Sequence, residues 1–167
     1  MKTPDAPQNP YPSETGCCPR FVPEPWQEKA IHWKDKLFLK DRVRCLFYMP
    51  LNFGRVMVRN MARISQAGAF TPEPPIGLSD HTSKWSMDIY IEVTREIPGG
   101  ENVRLSGSFL SKVFEGPFRN TGQWCQQMEE WVRSKGKAVK RCLMYYTTCP
   151  KCARHYGKNY VVILAEV

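Results

Sequence analysis

The stretch Phe114-Glu115-Gly116-Pro117-Phe118-Arg119-Asn120-Thr121-Gly122 is echoed upstream by Phe47-Tyr48-Met49-Pro50-Leu51-Asn52-Phe53-Gly54. Both read Phe-x-x-Pro, a short spacer, then Asn-x-Gly opening a segment of helical periodicity. A second echo follows each. Ile89-Tyr90-Ile91-Glu92-Val93 and Ile163-Leu164-Ala165-Glu166-Val167 share I-x-x-E-V. Similar offsets in the same order predict one strand–helix–strand–strand unit occurring twice. Two such units would join about a pseudo-twofold axis, with a pocket expected at their seam.

Working outward, Val43 to Pro50 alternates as a strand, stopped by Pro50, and Asn52 is placed to cap the next helix. In that helix Phe53, Val56, Met57, Met61 and Ile64 recur at helical spacing, and Gly68 closes it. The three prolines between Thr71 and Gly77 make a loop. Lys84 to Glu96 alternates cleanly, with Trp85, Met87, Ile89, Ile91 and Val93 on one face and Asp88, Tyr90 and Glu92 on the other. Pro98-Gly99-Gly100 then turns the chain into its second half. Leu105 to Phe114 reads as strand and Asn120 to Lys135 as helix, its stripe Trp124, Met128 and Trp131, closed by Gly136. Arg141 to Thr148 and Tyr160 to Val167 are further strands, joined across Cys149 to Asn159. The expected class is α+β: two pseudo-symmetric strand–helix–strand–strand units forming a curved antiparallel sheet with helices on its convex side.

Seven of the fourteen prolines (Pro4, Pro7, Pro10, Pro12, Pro19, Pro23, Pro25) lie in the first 25 residues, so residues 1–42 are expected to be a Pro-rich arm. Cys17, Cys18 and Trp26 prefer burial and should pack that arm on the body. The segment Trp26 to Lys40 reads as irregular. Residues 43–167 then form a single domain, its repeats at about 43–97 and 101–167.

Composition narrows the function. With 167 residues, 42% hydrophobic and 12% aromatic, one substantial core is expected rather than two domains' worth. No run of about 18 apolar residues occurs, so no membrane partner is expected. MKTPDAPQNP lacks the apolar core of a secretory signal, and the odd number of cysteines, seven, suits reduced thiols in the cytoplasm. The formal charge is +8. From Trp131 to Ala165 the basic residues Arg133, Lys135, Lys137, Lys140, Arg141, Lys151, Arg154 and Lys158 occur with no Asp or Glu. Such a face attracts anions, but no helix-turn-helix, zinc-finger or RNP motif accompanies it, so a solvated face is preferred to a nucleic-acid partner.

Ile97-Pro98-Gly99-Gly100 before a strand, then Phe114-Glu115-Gly116-Pro117-Phe118, Gly122, the helical Trp124 and Trp131, and a closing strand ending Glu166-Val167 carry a resemblance. Over about residues 43–167 the chain resembles the GyrI-like small-molecule-binding family, which includes effector domains of multidrug-sensing regulators. The resemblance implies a ligand groove on the concave side of the sheet, where an aromatic cage takes flat, hydrophobic, often cationic compounds. It also implies that some similar proteins hydrolyse strained, electrophilic planar compounds. Phe118 stands where the family has tyrosine, and Met144, Tyr145 and Tyr146 stand where a carboxylate often meets a cationic guest. A preference for cations therefore does not carry over.

Rigid π-faces suit flat ligands, and Tyr48, Trp85, Tyr90, Tyr145 and Tyr146 lie on predicted strands, where the alternative for each is ordinary core. Asp88 and Glu92 share Tyr90's face as a polar lip; with Glu115 and Glu166 they are the carboxylates a strand could aim inward as a base. The expected ligand-binding set is therefore Tyr90, Tyr146, Tyr145, Trp85, Tyr48, Asp88 and Glu92; no catalytic residue is assigned. Cys149-Pro150-Lys151-Cys152 supplies two thiols of a possible zinc site, with Cys17-Cys18 or His155 as further ligands; a redox dithiol or a plain turn are the alternatives, and no metal or cofactor is assigned. No nucleophile elbow, P-loop or dinucleotide fingerprint is present. The leading expectation is a stand-alone binding protein that sequesters planar hydrophobic xenobiotics. The rivals are a cage hydrolase of electrophilic planar compounds and a zinc-stabilised interaction protein.

Overall fold

In the computed structural model, which describes residues 10–167, the chain is α+β; residues 1–9 of the Pro-rich arm lie outside the described residues. The elements are β1 (Lys29–Leu46), β2 (Met49–Pro50), α1 (Phe53–Gln66), β3 (Gly77–Ser83), β4 (Ser86–Glu92), β5 (Glu101–Glu115), a 3-10 turn (Phe118–Asn120), α2 (Thr121–Ser134), β6 (Arg141–Tyr146), α3 (Pro150–Tyr156) and β7 (Tyr160–Glu166). The chain divides into two units. The first holds residues 10–12 with Asp35–Leu105, the second Ser13–Lys34 with Ser106–Val167.

In the first unit β4 is the middle strand. It pairs antiparallel with β1, from Phe38 opposite Glu92 to Arg44 opposite Ser86, and antiparallel with β3 on its other side. Val56 and Ile64 of α1 bury against Val43 and Cys45 of β1 and Met87, Ile89 and Ile91 of β4. In the second unit β7 is the middle strand, antiparallel to both β5 and β6. Its run Val161–Ala165 is wholly buried, as a strand covered on both faces must be. Trp124, Met128 and Val132 of α2 pack on Phe114, Met144, Val161, Ile163 and Ala165. Each unit thus has a buried cluster of its own. Both long helices end as their glycines foretold. Gly68 (φ 59) and Gly136 (φ 72) take the left-handed conformation that lets the last carbonyls find donors.

Several local expectations need correction. Val43 to Pro50 is not one strand. Phe47 (φ 47) and Tyr48 (φ 68) form a tight turn between β1 and β2, a reversal that needs positive φ at two central residues and is usually signalled by Asn-Gly. Asn52 does not cap α1 with its side chain, because its Oδ1 accepts the Arg44 amide across that turn at 2.8 Å. Lys84 to Glu96 is not one strand either. The Ser83 hydroxyl accepts the Trp85 and Ser86 amides and turns β3 into β4. The supposedly irregular Trp26 to Lys40 contains the first part of β1, whose alternation is broken at Asp35 (φ 51). Between β6 and β7 the chain forms α3, with Pro150 at its first turn and Gly157 (φ 72) as its left-handed stop.

Candidate functional site

The arm and the α3 region build a cleft in the second unit. Its lining is Arg20, Phe21, Thr148, Tyr156, Lys158 and Tyr160, and it encloses about 270 Å³. That is near the lower end of the roughly 300–1,000 Å³ of ligand sites. Local chain chemistry puts these groups together. Thr148 follows β6, α3 carries Tyr156 in its last turn, and the Gly157 turn leads through Lys158 to Tyr160 at the start of β7. From the arm, the carbonyl of Cys18 accepts the Tyr156 hydroxyl at 2.6 Å. The Arg20 guanidinium lies 4.6 Å from the Tyr156 ring centre.

The rings are braced from behind. Phe21 packs against Tyr160 at 5.6 Å and edge-on against Tyr145 at 6.1 Å, while Trp26 packs against Tyr145 at 5.4 Å. Two cations and no carboxylate line the cleft. The Tyr160 phenol beside Lys158, with the charge of Glu115, raises its ammonium above the ordinary lysine range. Arg20 is held by Glu14, which accepts both its Nε and its Nη2, and Glu14 also meets His155 Nε2 at 3.3 Å. Those partners, Arg20 first, hold the Glu14 carboxyl below its usual value. Thr148 is only 6% exposed, and its hydroxyl has no hydrogen-bond partner among the described residues. An unmet buried hydroxyl costs roughly 1–3 kcal/mol.

Of the residues expected from sequence, Tyr145 stands directly behind this cleft, and Tyr146, also in the second unit, packs edge-on against Phe118 at 5.6 Å. The other five lie in the first unit. Tyr48 and Trp85 are exposed around the β1–β2 and β3–β4 turns, Trp85 against Phe47. Asp88 is buried opposite Arg42, which it engages at 2.9 Å, and also faces Lys40. Glu92 pairs with Lys36 and accepts the Ile76 amide. These cross-strand pairs explain why the Tyr90 face carries carboxylates: each has a basic partner on β1. Of the other two carboxylates, Glu166 pairs with Arg141 and Glu115 is exposed.

Tyr90 itself is buried edge-on against Phe38 at 6.4 Å. Tyr90→Ala is therefore expected to cost about 2–4 kcal/mol of unfolding free energy in a denaturant titration. A loss below about 1 kcal/mol would mean the ring is not part of the core. The cleft residues Tyr156 and Tyr160 were not singled out in the sequence. Their signal is the Tyr156-x-Lys158-x-Tyr160 interleaving of rings and charge inside the basic run.

Beside the cleft the side chains of Cys17, Cys18, Cys149 and Cys152 converge, with all four sulfurs within 4.8 Å of one another. The Cys17 and Cys18 sulfurs are 3.6 Å apart, and Cys18 Sγ accepts the Cys149 amide at 3.4 Å. Thr15 Oγ1 lies 3.2 Å from Cys152 Sγ. Burial raises the Cys17 and Cys18 thiols. Burial also opposes ionisation of Cys152, but Thr15, the Cys18 backbone and the neighbouring thiols outweigh it and hold that group down at about 7. His155, a possible fourth ligand on sequence grounds, turns instead to Glu14.

Residues 8–167 match the family model described as bacterial hydrolase. The chain belongs to the bacterial hydrolase family. Among solved structures, this family member is similar to a hydrolase encoded by lin2189 from Listeria innocua, at 12% identity and a TM-score of 0.57, covering 84% of this chain and 91% of that one. It is also similar to SAV2435 bound to tetraphenylphosphonium, at 12% identity and a TM-score of 0.47, covering 84% and 93%. The first likeness shows a shared fold. No curated protein matches the chain. Among the described residues, no helix is long and apolar enough to cross a membrane.

Proposed function

We propose that this member of the bacterial hydrolase family binds small planar aromatic molecules bearing a negative charge, in the cleft of Phe21, Tyr156 and Tyr160. One observation carries the reading: three braced rings and two cations, with no carboxylate among them, line the cleft beside Thr148. Rings hold the flat face and the cations meet the charge. Tyr145 acts through Phe21, as its brace. The role is sequestration of such compounds in the cytoplasm.

The GyrI-like kinship belongs to the same proposal. In each unit a strand, a helix and two strands follow in order, and the last strand lies between the other two. That shared order supports reading the units as two copies of one ancestral repeat.

A second reading, favoured by the family description, is turnover of an electrophilic guest. Tyr160→Ala is expected to weaken binding of a naphthalene sulfonate about tenfold, one stacked ring contributing on the order of 1 kcal/mol beyond its buried area. The melting temperature should change little, since Tyr160 is only half-buried. Equal affinity in the variant would place binding elsewhere. Incubation with an activated aryl ester decides the second reading: product beyond one equivalent makes the protein a hydrolase, and none leaves it a binder.

A further inference from the structure

We propose that Cys17, Cys18, Cys149 and Cys152 form a tetrathiolate zinc site that fastens the arm to α3. A zinc ion with Zn–S bonds of about 2.3 Å sets its sulfurs about 3.8 Å apart at the corners of a tetrahedron. The four sulfurs here are all within 4.8 Å, and the Cys17–Cys18 separation is 3.6 Å, so small side-chain shifts close the tetrahedron. Four soft sulfur donors select zinc over hard cations such as magnesium or calcium. The ligands come from two segments far apart in sequence. One pair is the Cys-x-x-Cys that opens α3, and the other lies in the arm loop that precedes β1.

The surroundings suit a charged metal–thiolate group. The Cys149 amide donates to Cys18 Sγ, and Thr15 touches Cys152 Sγ, as groups that orient metal-bound sulfur do. Four thiolates and one Zn²⁺ leave two negative charges. Around Cys149 and Cys152 the chain offers Lys151, Arg154 and Lys158 and no acid between Trp131 and Ala165. Glu14, the carboxylate in the arm loop, is occupied by Arg20 and His155. Metal binding displaces the thiol protons to solvent and involves no change of oxidation state.

The site has a consequence for the cleft, and this part alone rests on the proposed function. Arg20 and Phe21 follow Cys18 after Pro19, while Thr148 precedes Cys149 and Tyr156 follows Cys152 within α3. The metal would therefore hold the two walls of the cleft together.

The test starts from reduced full-length protein purified without chelators. Elemental analysis should find about one zinc per chain, as a closed structural site requires. Exchange with cobalt(II) should give intense near-ultraviolet sulfur-to-cobalt absorption and the visible bands of a tetrahedral ion. Cys152→Ser should weaken metal binding tenfold or more, whereas Cys125→Ser should leave it unchanged. If Cys152→Ser fails to fold, the metal content and cobalt spectrum of the parent still decide. Negligible zinc with no cobalt–thiolate spectrum overturns the proposal. So does a purified protein holding iron in the site, or a Cys149–Cys152 disulfide as the resting form. Because metal is read without any aromatic ligand, failure of the zinc site and failure of the binding cleft are separately visible.

Discussion

Trp124→Ala is expected to lower the free energy of unfolding of the second unit by about 3–5 kcal/mol, among the largest losses a single truncation produces. The Trp124 side chain is buried and lies nearly parallel to Phe114, with ring centres 5.7 Å apart. It also closes the Gly-Pro turn: a Cβ on Gly116 (φ 143) would stand 3.2 Å from its Cζ2. Removal leaves a hole beside Phe114 in a tightly packed cluster that small shifts cannot fill. Against a typical domain stability of about 5–15 kcal/mol, the loss is a third or more. Denaturant titration followed by tryptophan-independent circular dichroism measures it. A loss under about 1 kcal/mol would mean that α2 is not anchored through this residue.

The same residue shows what the sequence disclosed. α1 and α2 were legible because their buried residues recur at helical spacing and each is closed by a glycine, Gly68 or Gly136. The strands were legible where polar and apolar residues alternate, as in β4, or where apolar residues run on, as in β7. They were obscured where a turn is built from residues that seldom make one. Phe47 and Tyr48 are bulky yet adopt positive φ, so the alternation reads straight through the reversal. Asp35, also at positive φ, shifts the phase of β1 midway and hides its first half. α3 is too short for periodicity; its signals were Pro150 at the start and Gly157 after the end.

The candidate site was less legible, for a physical reason. Strand alternation reports which face a side chain takes, but not which residues meet across the fold. Asp88 and Glu92 lie on the expected face, yet their partners Arg42, Lys40 and Lys36 lie on β1, the first half of which the sequence concealed. The cleft depends on a contact between an arm and α3 that no local pattern encodes. The cysteines were the exception, since Cys-x-x-Cys and Cys-Cys are recognisable wherever the chain carries them.

Charge sign is the remaining large effect. Two unit charges about 4 Å apart interact by about 1 kcal/mol in water and more beside a low-dielectric wall. Reversing one cation therefore changes the binding of an anion roughly thirtyfold. Lys158 is exposed, so Lys158→Glu should cost little stability while weakening naphthalene sulfonate about that much, and added salt should shrink the difference. The deciding measurement is a paired titration of the parent and Lys158→Glu with this anionic dye and with a cationic planar dye of the same ring size. The expected result is preference of the parent for the anion, with the preference lost or inverted in the variant. Tighter binding of the cation by the parent, unchanged by Lys158→Glu, would contradict an anion-binding aromatic cleft.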